Sequence, residues 1–143
     1  MCITECKTKE VPVADKSSEK MMEEMAKARG YAYPEWELST KLDPEFIEAY
    51  NKLAAIVFLH EGAVAPSKVH LAAKYREMVA IGVLCFRGRE RGVETHMRRA
   101  MRMGATKEEI FEAMQAIVLP GGAPAYSLGV QTLMKLVKEQ EKG

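Results

Sequence analysis

The chain has 143 residues, of which 48% are apolar and 29% charged, with 21 basic and 20 acidic side chains. That length supports one hydrophobic core and predicts a single domain. A balance this near neutrality lacks the broad basic surface of a nucleic-acid binder or of a protein drawn to anionic membranes, so neither partner is expected.

Residues 1–16 are polar and read as a mobile N-terminal tail, leaving 17–143 as the helical domain. The tail has no apolar segment of the kind a signal peptide needs, and no later run of about 18 charge-free apolar residues suggests a membrane span. A cytoplasmic location is therefore expected. Three cysteines, Cys2, Cys6 and Cys85, cannot all pair within one chain, which fits a reducing compartment. Cys2 and Cys6 lie close together in the tail without a histidine or third cysteine beside them, so no metal site is expected there.

Ser17 to Arg29 predicts a helix, with Ser17 and Ser18 as caps, Met21, Met22 and Met25 on one side and Gly30 as its end. The stretch YAYPEWELSTKL follows, where Pro34 can start a short helix and Tyr31, Tyr33 and Trp36 crowd together. Aromatics this dense more often fasten a connecting segment than stack on a ligand. Asp43 before Pro44 is a strong helix start, because Asp accepts from the first free amides and Pro at the first position gives up none. Phe46, Tyr50, Leu53 and Val57 carry that helix to about His60, and EGAVAPS breaks it.

Ser67 is expected to cap a helix through KVHLAAKYREMVAIGVLCF, apolar on every side after Glu77. Such a helix is either wrapped by the others or covered by a neighbouring subunit. RGRERG makes a basic turn, and the next helix runs from about Glu90 to Met103, stopped by Gly104. Thr106 with Glu109 forms a capping box for a helix ending at Pro120, and GGAPA leads into a last helix from Tyr126 to about Glu139. No strand-like alternation of useful length is present, so the fold class is all-α, an array of about six helices. Ten methionines suit adaptable packing in such an array.

Several side chains have the chemistry for a site. Glu77 shares a helical face with Ala73, Ala80, Ile81 and Leu84. A carboxylate there must be paired, hydrogen-bonded or protonated, because a bare charge in an apolar site costs several kcal/mol. His96 falls among Val93, Met97, Ala100 and Met103 on the apolar side of the following helix. A short turn joins the two helices and makes them antiparallel neighbours, so Glu77 and His96 are candidates for an acid and a base. Arg87, Arg89, Arg91, Arg98, Arg99 and Arg102 face only Glu90 and Glu94, a rim that either attracts carboxylate groups or forms a solvated face with pairs such as Glu94 to Arg98. Cys85, inside an apolar stretch, reads as a core residue. His60 with Glu61, and His70, match no metal-ligand spacing strongly.

Taken together, KYREMVAIGVL, THMRRAMRMGATKEEIFEAMQAIV and GGAPA resemble the carboxymuconolactone decarboxylase and AhpD-like (alkylhydroperoxidase-like) family over about residues 67–135. The resemblance implies an all-helical subunit assembled into trimers or hexamers, with the active site near a subunit interface. In the peroxidase branch a Cys-x-x-Cys pair, a glutamate and a histidine act together. Glu77 and His96 match the last two, but the thiol positions fall on Arg89 and Gly92, and Cys85 is displaced by four residues from the first of them. Peroxide reduction by a dithiol is therefore not expected. The decarboxylase branch lacks the thiol pair, works without metal or organic cofactor and acts on an acidic lactone.

By that analogy Glu77 and His96 are catalytic and Arg89 and Arg91 bind the substrate carboxylate, while the Tyr-Cys-Gly usual in that branch is replaced by Pro120, Gly121 and Gly122. The implied function is a cofactor-free acid/base enzyme, a decarboxylase or isomerase of a small carboxylated lactone or keto acid. The alternatives are a non-catalytic, oligomeric small-ligand-binding protein on the same scaffold and a thiol oxidoreductase working through Cys2, Cys6 or Cys85.

Overall fold

A computed structural model of the chain describes residues 16–143. Among the described residues there are six α-helices and no strand: α1 Lys16–Arg29, α2 Glu35–Leu42, α3 Pro44–Val57, α4 Ala73–Phe86, α5 Glu90–Arg102 and α6 Lys107–Gln140. The expected tail, with Cys2 and Cys6, lies outside the described residues apart from Lys16, which opens α1. The helices gather into two compact units divided within α3, between Asn51 and Lys52.

In the first unit Met25 is buried and Gly30 turns the chain out of α1 at φ +78°. Ser18, expected as a cap, instead lies buried with its hydroxyl bonded to that of Thr40 in α2. Tyr31, Tyr33 and Trp36 pack on one another, and the Arg29 guanidinium sits 4.7 Å from the Trp36 ring centre and 4.8 Å from that of Tyr50. The aromatics thus fasten a segment around a buried arginine. Asp43 caps α3 as expected, accepting from the Phe46 amide at 3.0 Å.

The second unit is built on α4, α5 and α6, whose inward faces supply Ile81, Cys85, Val93, Met97, Ala100, Ile110, Met114, Leu133 and Leu136 to one core. Thr106 and Glu109 close the capping box of α6. Within α6, Gly122 adopts φ +79° and ψ 167°, a region open to glycine almost alone, and bends the helix sharply. The part after the bend resumes at once, earlier than the expected Tyr126, with Pro124 in its first turn. Beyond the bend a Cβ added at Gly129 would overlap Met114 Sδ and stand 3.2 Å from Cys85 Sγ, so glycine is what lets the two parts of α6 approach.

Two further boundaries differ from the sequence expectation. α3 stops at Val57, not His60, because Leu59 takes the left-handed conformation, φ 53°, and ends the helix. α4 starts at Ala73, not Ser67: Ser67 lies in a 3-10 turn, Pro66–Lys68, and the chain runs extended through Val69 and Ala72. That delay puts the Leu71 carbonyl within 3.0 Å of Arg76 Nε, while Arg76 Nη1 reaches the Val57 and Ile56 carbonyls at 2.9 and 3.4 Å. Arg76 therefore ties the end of α3 to the start of α4. Of the two alternatives expected for α4, wrapped by the other helices or covered by a neighbouring subunit, the described residues do not give the first, since they leave one side of the helix open. Glu77, Ile81 and Cys85 are buried, whereas Tyr75, Val79, Val83 and Phe86 form an exposed apolar stripe at one-turn spacing.

Candidate active site

Glu77 and His96, read as an acid and base from separate helices, come together. A helix places residues four apart nearly above one another, so the stripe Glu77, Ile81, Cys85 faces the stripe Val93, Met97, Ala100 across the α4–α5 packing seam. His96 sits beside Val93 and Met97 at the edge of that seam. Its Nδ1 is 2.6 Å from Glu77 Oε2. The Glu77 side chain has no exposure at all, while that of His96 keeps 14%.

The other Glu77 oxygen, Oε1, lies 3.0 Å from Arg99 Nε, one turn beyond His96. This is an ion pair by distance whose N–H direction is not aligned for a hydrogen bond. Arg99 is itself buried, at 1% exposure, although an arginine is almost never so placed unless paired. Its Nη2 stands 2.9 Å from His60 Nε2 and its guanidinium carbon 5.2 Å from the Phe58 ring centre. Phe58 also meets the His96 ring, centroid to centroid at 5.1 Å. Glu77, His96, Arg99, His60 and Phe58 form one cluster.

The protonation pattern follows from donor inventory. A carboxylate only accepts and a guanidinium only donates. Glu77, facing a buried arginine, is the acceptor for His96 Nδ1–H, so neutral His96 carries its free lone pair on Nε2. His60 accepts from Arg99 through Nε2. The arrangement can hold a base at His96 Nε2 and stabilise the imidazolium formed when that atom takes a proton.

Arg89 and Arg91 sit at the opposite, N-terminal end of α5, both exposed, with Arg89 immediately before the helix. Gly92 is half-buried, and a Cβ there would come within 3.1 Å of the Leu84 side chain. Arg98 belongs to the solvated face: it pairs with Glu94 at 2.8 Å and Glu139 at 2.6 Å, and Lys135 reaches Glu94 at 2.8 Å. Those bonds, Lys135 first and Arg98 next, hold the Glu94 carboxyl below its usual range. His70 is exposed on the approach to α4. Among the described residues no group of three His, Cys, Asp or Glu side chains converges as a metal site.

Cys85 is buried at 2% exposure, with Sγ 3.9 Å from Met114 Sδ. Burial pushes its thiol up from 9.0 to about 11, which makes it a poor nucleophile near neutrality. With Cys2 and Cys6 replaced by serine, the folded protein is expected to resist alkylation at neutral pH and to react once denatured; fast labelling of the native fold would contradict this. The raised value also sets a sign. Cys85 contributes fully to stability below the unfolded thiol value of 9.0, and that contribution is lost as pH rises through about 11.

Sequence reasoning missed Arg99 and His60 as site members. Arg99 carried a usable signal: it lies three residues after His96 and next to Ala100, on the apolar side of α5 rather than on the face of Arg98. His60 carried none, since its position depends on the Leu59 turn.

The model of the carboxymuconolactone decarboxylase family matches residues 44–132. Two uncharacterised proteins of Methanocaldococcus jannaschii are similar, one 30% identical over 104 residues, covering 73% of this chain and 90% of that protein. The other is 33% identical over 90 residues, covering 62% of this chain and 86% of its own length. A crystal structure of a Burkholderia xenovorans protein, provisionally assigned as a carboxymuconolactone decarboxylase, superposes with a TM-score of 0.67 at 20% identity. It covers 87% of this chain and 97% of its own, a likeness of fold.

Proposed function

Since the chain belongs to the carboxymuconolactone decarboxylase family, we propose that it is a cofactor-free acid/base enzyme that decarboxylates or isomerises a small carboxylated lactone or keto acid. The observation that carries the reading is the 2.6 Å bond between His96 Nδ1 and the fully buried Glu77 carboxylate, which orients Nε2 as the proton-handling atom. In a decarboxylation the C–C bond to the carboxylate breaks, carbon dioxide leaves, and the electron pair moves into the conjugated carbonyl as an enolate. His96, having taken a proton from solvent at Nε2, then gives that proton to carbon, and Glu77 balances the imidazolium while it is charged. In an isomerisation neutral His96 removes a proton at one carbon and returns it at another. Arg89 and Arg91 are the proposed holders of the substrate carboxylate.

Assembly into a trimer or hexamer is part of this reading. Tyr75, Val79, Val83 and Phe86 leave an apolar stripe along α4, between 42% and 68% exposed, that suits burial against a second copy. No helix among the described residues is long and apolar enough to cross a membrane.

A second reading, a non-catalytic small-ligand binder on this scaffold, draws on the complete burial of Glu77 between His96 and Arg99. One experiment separates the two: a panel of small carboxylated lactones and β-keto acids assayed for carbon dioxide release and for proton exchange at carbon. Turnover of at least one is expected. Saturable binding of the panel with neither carbon dioxide release nor exchange would establish the binder instead.

A further inference from the structure

The segment Phe58–Leu59–His60 touches both ends of the buried polar chain and is built to stay where it is. His60 Nε2 holds Arg99 Nη2 at 2.9 Å, Arg99 Nε faces Glu77 Oε1 at 3.0 Å, and Glu77 Oε2 holds His96 Nδ1 at 2.6 Å. The Phe58 ring lies against both the guanidinium and the His96 imidazole. Leu59, the one non-glycine residue with positive φ among the described residues, lets the His60 amide bond back to the Ala55 carbonyl at 2.9 Å. A left-handed leucine is disfavoured, because its Cβ crowds the following carbonyl oxygen. Conformations of this kind persist where surrounding contacts over-determine them. Arg76 supplies such contacts, through its bonds to the Val57, Ile56 and Leu71 carbonyls.

We propose that Phe58–His60 is a positioning strap: by fixing Arg99 it fixes Glu77 as an acceptor and thereby selects the His96 tautomer with Nδ1 protonated and Nε2 free. The physical need is plain. A buried guanidinium has five donors and a long stem, and Arg99 can present either edge to Glu77. With Nη2 committed to His60 and one face covered by Phe58, the Nε edge is left for the carboxylate. Glu77 Oε2 is thereby held in place to accept from His96 Nδ1–H. Without that hold the guanidinium can turn another edge to Glu77 and draw the carboxylate away from Nδ1, which leaves the His96 tautomer unselected. His60 and Phe58 are thus positioning residues acting through Arg99. The catalytic meaning rests on the reading of His96 as the base, but its tautomer is measurable without any substrate.

The test is nitrogen-edited NMR of the three histidine side chains, assigned with a His70→Gln variant. In the unmodified protein His96 should show a protonated Nδ1 and a bare Nε2, and His60 a bare Nε2. Finding His60 protonated at Nε2 in its neutral form would overturn the strap without any further substitution. His60→Ala should lose the single His96 tautomer and lower kcat by about 10- to 100-fold with little change in KM. His60→Gln, whose amide oxygen can accept from Arg99, should recover both. An unchanged His96 tautomer in His60→Ala, or no recovery with glutamine, also overturns it. If the tautomer pattern holds while every lactone and keto acid goes unturned, the enzyme reading fails and the strap stands.

Discussion

Replacing His96 by alanine is expected to lower turnover of a carboxylated substrate by about 10²- to 10⁴-fold, the range typical for losing a positioned acid or base. Oligomer size should stay as in the unmodified protein, because His96 sits at the edge of the α4–α5 seam and the core is carried by Val93, Met97 and Ala100. Glu77→Gln offers the complementary case. The amide oxygen can still accept from Nδ1, so the geometry survives, but a neutral side chain no longer balances the imidazolium. Its kcat should fall with a smaller change in KM, the signature of an interaction that strengthens toward the transition state. Steady-state kinetics with sedimentation decides the matter: if both variants turn over as the unmodified protein does, the acid/base assignment is wrong.

The largest stability effect is expected at Arg99. Substituting methionine keeps much of the side-chain volume but removes the charge facing Glu77, which has no exposure. Breaking a buried ion pair from one side typically costs about 3–5 kcal/mol, because the remaining charge is left uncompensated in an apolar site. Arg99→Met should therefore lose stability on that scale in denaturant unfolding at fixed protomer concentration. Adding Glu77→Gln should return a good part of the loss, since the orphaned charge is then gone. A single variant as stable as the parent, or a double variant no better than the single, would show that the pair does not hold the fold together.

Much of the fold is written in local chemistry. Asp43–Pro44 and the Thr106 and Glu109 box start helices where expected, because capping depends only on residues within one turn. Gly122 bends α6 because a backbone region that rejects side chains needs a glycine wherever it occurs. Boundaries set from a distance were not legible. The late start of α4 depends on Arg76 reaching the end of α3, and no propensity of Ser67 or Val69 encodes that reach.

For the site, residue types alone determined that Glu77 and His96 stand on apolar helical faces, and that a dithiol is absent where Arg89 and Gly92 lie. Only the tertiary structure decided that Glu77 and His96 touch, that Arg99 rather than a rim arginine meets the carboxylate, and that His60 and Phe58 complete the cluster. The reason is physical. Helical periodicity tells which face a side chain occupies, but the depth at which two helices slide past each other, and what a left-handed turn at Leu59 swings inward, are set by packing between segments far apart in sequence.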